Sequence, residues 1–248
     1  LGRYCRSTGV LGNQDLPYRN QTSFTQVLRE AGFRTACFGK LHVHDRNDLD
    51  WDVVDDSVPS RAGRRRSARG RRGRGAASDP QEPATPRGMM PVGRPAGFDE
   101  ELHPELHDMR HTIAFMEENR EEPWFIQCSF RKPHPPFLPP QSQWDRIDRL
   151  NLAVPRYPDD DLDDVNPILW RRLNGMNRAR DLDDAVVLDA MQGYYACLAY
   201  CDDLFGQVLG VLDHLGLKED TLVVFTSDHG EMLYDHRLWS KSNFFEQS

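Results

Sequence analysis

A chain of 248 residues is long enough for one substantial core or for two small domains. Its hydrophobic content of 38% and mean hydropathy of −0.68 are polar for a compact domain, so part of the chain is expected not to pack. The formal net charge of −8 argues against the nucleic-acid backbone as a general partner, and no apolar run approaches the roughly 20 residues a membrane helix needs. The chain begins at Leu1 and no leader peptide is visible, which leaves the compartment open. Cys5, Cys37, Cys128, Cys197 and Cys201 have no metal-type spacing, and most are expected to be buried free thiols.

In chain order, Leu1–Pro17 is punctuated by glycine without a period and reads as loop. Thr22-Ser23 offers an N-cap to a helix carrying Phe24, Val27, Leu28 and Ala31 on one face, and Gly32 supplies its stop. Phe33–Phe38 reads as a short strand that runs into the polar turn Gly39-Lys40-Leu41-His42. Asp45–Asp56 is acidic and reads as loop. From Pro59 to Gly97 the composition changes. Arg61, Arg64, Arg65, Arg66, Arg69, Arg71, Arg72 and Arg74 crowd among Gly, Ala and Ser, with prolines after them. Too little apolar surface is present to offset the ordering entropy, so 59–97 is expected to be a disordered, solvated insertion rather than a basic arm for an anionic partner.

Leu106, Met109, Ile113 and Met116 then form a helical stripe ending near Asn119, and Trp124–Phe130 reads as an apolar strand. That strand leads into Arg131-Lys132-Pro133-His134-Pro135-Pro136, a rigid turn rich in cations. Trp144–Arg180 reads as surface loop with short helices. Asp184–Leu215 is a long amphipathic helix in which Val187, Met191, Tyr194, Leu198, Cys201, Phe205, Val208 and Leu212 step by three and four; Gly216 ends it. Leu222-Val223-Val224-Phe225 reads as a strand buried on both faces, breaking at Ser227-Asp228-His229-Gly230.

Three apolar runs are thus each followed by a basic or metal-competent turn: Lys40/His42, Lys132/His134 and Asp228/His229. Helices between them imply parallel strands whose carboxyl ends share one edge, the place where open α/β sheets bind ligands. A single histidine after a strand is ordinarily a surface residue, but three at equivalent positions point towards one crevice. Lysines and a divalent metal there would neutralise an anionic ester, and a histidine would protonate the departing alkoxide. Asp228 offers a hard oxygen and His229 a nitrogen, a pair compatible with Ca, Mn, Mg or Zn. None of these turns contains a nucleophile, and Cys5, in Tyr4-Cys5-Arg6-Ser7, has no base near it in sequence.

Four blocks resemble the sulfatase family, within the alkaline-phosphatase-like superfamily. They are Leu1–Tyr4 (the end of the signature that finishes near Thr-Gly-Arg), Phe24–His42, Ser129–Pro136 (SFRKPHPP) and Leu222–Glu246 with its SDHGEMLYDHRLWSK run. The resemblance implies a three-layer α/β/α sandwich around a mostly parallel sheet, present here as part of a catalytic domain. It also implies a sulfuric ester hydrolase acting on a small-molecule or carbohydrate sulfate monoester. Under it Lys40 and His42 would bind the sulfate and assist the nucleophile, and His134 would contact sulfate or act as acid. Lys241 would clamp a sulfate oxygen, and Asp228 and His229 would complete a divalent-metal site, calcium being commonest in the family. Lys132 and His236 would have supporting roles. The family's nucleophile, a cysteine matured to formylglycine in a Cys-x-Pro-x-Arg motif, and its early Asp-Asp pair have no counterpart in this sequence. Both are expected upstream of Leu1, and the chain alone is expected not to turn over. A phosphonate monoester or phosphodiester hydrolase of the same fold is the alternative, and a non-catalytic remnant is the third reading.

Overall fold

The computed structural model describes residues 22–41, 51–55, 93–158, 182–241, 243 and 245–247. The expected loop at 1–17, His42, residues 59–92 of the Arg-rich insertion and residues 159–180 lie outside that set. The chain divides into two compact units. The first comprises Leu1–Gly75, Glu101–Arg131 and Leu204–Thr221; the second comprises Ala76–Glu100, Lys132–Asp203 and Leu222–Ser248.

The first unit is built on a parallel sheet. Helix α1 (Phe24–Glu30) starts where Ser23 Oγ accepts the Gln26 N–H at 3.0 Å and stops at Gly32, whose φ of +88° a side chain would resist. Strand β1 (Arg34–Gly39) follows, then β2 (Val53–Asp55), helix α2 (Pro104–Glu118) and β3 (Trp124–Ser129). The sheet order is β2-β1-β3, with β1 parallel to both neighbours; Thr35 lies opposite Phe125 and Phe38 opposite Cys128.

Because side chains alternate along a strand, the two faces of this sheet carry different residues. Phe125 meets Phe24 of α1 edge-on at 5.2 Å, with Trp51 against both. On the other face Ala36 and Phe38 pack with Phe115 of α2, joined by Trp124 and Ile126. A helix therefore covers each face, which gives the expected α/β/α layering within this unit. The strand β2 was expected to be loop. It forms because Asp52 accepts from both the Thr35 N–H (2.8 Å) and the Thr35 hydroxyl (3.0 Å), bringing an otherwise acidic stretch alongside β1.

Helix α3 (Gln141–Arg146) and the long helix α4 (Asp184–His214) are the other α-helices among the described residues; residues 184–203 of α4 belong to the second unit. Gly216, at φ +72°, ends α4 as expected. In the second unit Val187, Ala190, Met191 and Cys197 of α4 share a core with Phe137, Tyr234 and Trp239. A bridge pairs Gly93 with Phe137, and the Ala96 N–H donates to Pro139 O at 2.9 Å. Residues 93–97, the tail of the expected insertion, are thus tied to the loop after β3. Gly93 lies so close to α4 that a Cβ there would stand 1.8 Å from Asp189 O.

One strand is corrected. Among the described residues Leu222–Phe225 is not assigned as a strand and is exposed, Leu222 at 88% and Phe225 at 81%. Apolar β-branched sequence states only that a segment suits a sheet; hydrogen-bonding neighbours are what make it a strand. The four described cysteines, Cys37, Cys128, Cys197 and Cys201, are free thiols, and burial pushes the Cys128 thiol up to about 11. No helix among the described residues is long and apolar enough to cross a membrane.

Candidate functional site

Lys40 emerges from the sheet itself. Its N–H donates to Ser129 O at 2.7 Å, which continues the β1–β3 ladder by one bond and fixes where the lysine leaves β1. Gly39 makes this possible. Its φ is +93°, and a Cβ there would lie 2.2 Å from Ser129 O and 2.7 Å from Asp108 Oδ2. Asp108, buried on α2, therefore sits directly under the turn, a neighbour that no motif in the sequence singled out.

The remaining described candidates, His134, Asp228, His229 and Lys241, belong to the second unit. His134 is exposed, three residues before Phe137, which is fully buried in the α4 core. Its Nδ1 lies 2.8 Å from the Pro135 carbonyl, which can only accept, so Nδ1 carries the proton and Nε2 keeps its lone pair.

Asp228 and His229 stand together in an exposed turn. His229 Nδ1 lies 2.7 Å from Gly230 O, which by the same reasoning makes Nδ1 the donor and turns a bare Nε2 outward. That Nε2 is 3.6 Å from Asp228 Oδ2. The spacing suits two donors of one hard cation, each about 2.0–2.6 Å from it, so this pair fits a share of a divalent-metal site. Among the described residues no group of three or more His, Cys, Asp or Glu side chains is arranged to hold a metal.

Lys241 is carried by a tightly built loop, Glu231–Ser240. Its backbone folds on itself: Met232 N–H donates to Ser240 O (3.0 Å) and Tyr234 N–H to Leu238 O (2.8 Å). Leu233, Tyr234, His236, Arg237 and Ser240 all have positive φ, from +44° to +76°. For residues with a Cβ that conformation is costly, and it persists only where the surroundings impose it. Here Met232, Tyr234, Leu238 and Trp239 are buried, and Tyr234 and Trp239 belong to the α4 core. Tyr157 and Phe245 stack on His236 at 4.5 and 4.3 Å, while Tyr157 Oη donates to Asp235 (2.9 Å). His236 is thus enclosed between two rings.

The side chain that sequence reading overlooked here is Glu231. One carboxylate oxygen accepts the N–H groups of Ser240 and, at 3.4 Å, of Leu233. Burial pushes its carboxyl above the usual range, opposed by those two N–H groups and by the nearby charges of Lys241 and His229. Burial likewise raises Tyr194 of α4, with Glu231 adding to the effect. Glu231, His229 and Lys241 therefore share one electrostatic neighbourhood. Of the candidates, Asp228 and His229 stand together, and Glu231 ties the segment after them to Ser240, the residue before Lys241; Lys40 is in the first unit, and His42 lies outside the described residues.

The first unit thus carries a cation at the end of a parallel strand, and the second carries an acid–imidazole pair. The chain belongs to the sulfatase family, whose profile matches residues 2–248. It is 27% identical to a choline-sulfatase of Rhizobium meliloti over 91% of this chain and 45% of that protein. It is 24% identical to an arylsulfatase of Clostridium perfringens over 98% of this chain and 54% of that one. Its fold matches a phosphonate monoester hydrolase from Silicibacter pomeroyi with a TM-score of 0.76 at 21% identity, covering 100% of this chain and 55% of that structure. The chain thus spans about half the length of the curated relatives it matches.

Proposed function

We propose that the protein to which this chain belongs is a sulfuric ester hydrolase acting on a sulfate monoester, with calcium as its divalent ion. What supports this is a chain of sulfatase sequence in which Asp228 and His229 stand 3.6 Å apart and Glu231, two residues on, binds the amide of Ser240, the residue before Lys241. The family implies a divalent metal, and Asp228 Oδ2 and His229 Nε2 would be two of its ligands. Bound there, the ion would draw negative charge from the ester oxygens. The Lys241 ammonium would hold a second oxygen of the same group, and the family resemblance gives Lys40 and His42 a sulfate-binding role as well. His134, whose Nε2 lone pair would first take up a proton, would pass that proton to the departing alkoxide, a step suited to an imidazole near neutral pH. The nucleophile implied by the family, formylglycine, is assigned to no residue of this chain. Support for a sulfate ester comes from relatives named choline-sulfatase and arylsulfatase. The likeness to phosphonate monoester hydrolases speaks for the fold alone.

The test is a side-by-side assay of the whole protein on 4-nitrophenyl sulfate and 4-nitrophenyl phenylphosphonate. A kcat/KM favouring the sulfate, falling at least ~100-fold in Lys241→Ala, is expected. Preference for the phosphonate would replace this reading with the alternative. Turnover of neither ester, with the metal site loaded, would leave the non-catalytic reading.

A further inference from the structure

The strained loop that ends at Lys241 is closed by one carboxylate, and that contact carries an inference about how the cation is placed. Five of the residues between Leu233 and Ser240 hold left-handed backbone, each at a cost, so the loop needs an internal restraint as well as its apolar anchors. Glu231 supplies it. It is two residues after His229, and it binds the amide of Ser240, the residue immediately before Lys241. The same oxygen reaches the Leu233 amide at 3.4 Å, so both ends of the loop meet on one acceptor. A carboxylate accepting from backbone N–H makes a stronger bond than a neutral acceptor would. Burial of Met232 and Trp239 on either side excludes the water that would compete for it.

We propose that Glu231 is a positioning residue: its carboxylate clasps the Ser240 amide and thereby fixes Lys241 relative to the Asp228–His229 turn. This rests on the reading of Lys241 as the cation that meets the sulfate group. The partners of Glu231 are the backbone amides of Ser240 and Leu233. Through them it orients the chain that leads to Lys241.

The experiment uses the whole protein with two variants. Glu231→Met matches the length of the side chain without an acceptor, and Glu231→Gln keeps one. Hydrogen exchange at the Ser240 amide and the affinity for inorganic sulfate are measured in each. In Glu231→Met the Ser240 amide is expected to exchange roughly 10- to 100-fold faster, the factor that loss of a charge-assisted hydrogen bond represents. Sulfate binding is expected to weaken about tenfold or more, as displacement of a binding group by an ångström does. Glu231→Gln is expected to restore both to within about threefold of wild type, since a carbonyl oxygen remains in place. A merely structural side chain would alter stability without this rescue of sulfate affinity in the folded protein.

Unchanged exchange at Ser240 in Glu231→Met would overturn the proposal, as would faster exchange with undiminished sulfate binding. Should Glu231→Met fail to fold, the other two proteins decide. A wild-type Ser240 amide that exchanges as fast as an open-chain amide overturns the clasp. A folded Glu231→Gln that keeps protection yet loses sulfate overturns its link to Lys241. Equal sulfate affinity in wild type and Lys241→Ala would instead remove the reading of Lys241, a failure recognised without any change at Glu231.

Discussion

Lys40 and Lys241 are held in place by different means. Lys40 leaves the end of a sheet, and its position follows from the β1–β3 register through one additional ladder bond to Ser129 O. Lys241 leaves a loop whose regular structure is one short 3-10 turn, Asp235–Arg237. There the geometry comes from left-handed residues, a buried acid and apolar side chains seated on α4. A sheet end is placed by repetition along the strand and tolerates many sequences. A strained loop is placed only when several particular side chains are present together, so it should be the more easily disturbed of the two.

Removing an anchor of the loop is the severest way to test that contrast. Trp239→Ala deletes a buried indole from the α4 core and should cost about 3–5 kcal/mol in urea unfolding. In protein that remains folded it should weaken sulfate binding through Lys241. The corresponding blow to the sheet end is Gly39→Ala, whose Cβ meets Ser129 O in a backbone unsuited to a side chain. A loss of about 2–4 kcal/mol is expected there. A cost below about 1 kcal/mol would mean that Lys40 is not held by the ladder as described.

A smaller effect is expected at Asp52, which fixes β2 to β1 through Thr35 and pairs with Arg29 at 2.9 Å. Burial acts to raise its carboxyl, but the Thr35 bonds and the Arg29 guanidinium outweigh it and leave the pKa below the usual range. The contribution of a carboxyl lowered in the folded state is fully present above the unfolded value of about 3.9 and fades as pH falls through the folded one. Asp52→Ala should therefore cost about 1–2 kcal/mol at neutral pH, and the gap to wild type should close under acid conditions. A gap that widened in acid would contradict the assignment.

The smallest effect distinguishes the exposed run from a buried strand. Val224→Lys, at a position 74% exposed, should change stability by no more than about 0.5 kcal/mol. A loss of several kcal/mol would mean that Leu222–Phe225 is buried after all.

These cases also show which features could be read from the sequence. The caps of α1, the strands β1 and β3 and the length of α4 were legible, because Ser23, Gly32, Gly216 and the apolar spacing act locally. Strand β2 was not, since it depends on Asp52 reaching Thr35 seventeen residues away in sequence. Leu222–Phe225 misled for the converse reason: its propensity is strong, but propensity alone does not make a strand. At the site, Asp228, His229 and Lys241 stood out by residue type and motif. Glu231 did not, because an acid beside a histidine says nothing about the amide it will meet nine residues later. Nor did Leu233 or Tyr234, for which no propensity suggests a left-handed backbone.

The central claim, that Asp228 and His229 share a divalent ion beside Lys241, is tested most directly by calorimetric titration of the metal-free whole protein with Ca2+. One equivalent should bind to wild type, and affinity should fall at least ~100-fold in Asp228→Ala, as the loss of a charged ligand requires. Equal binding by the two proteins, or none by the folded wild type, would contradict it.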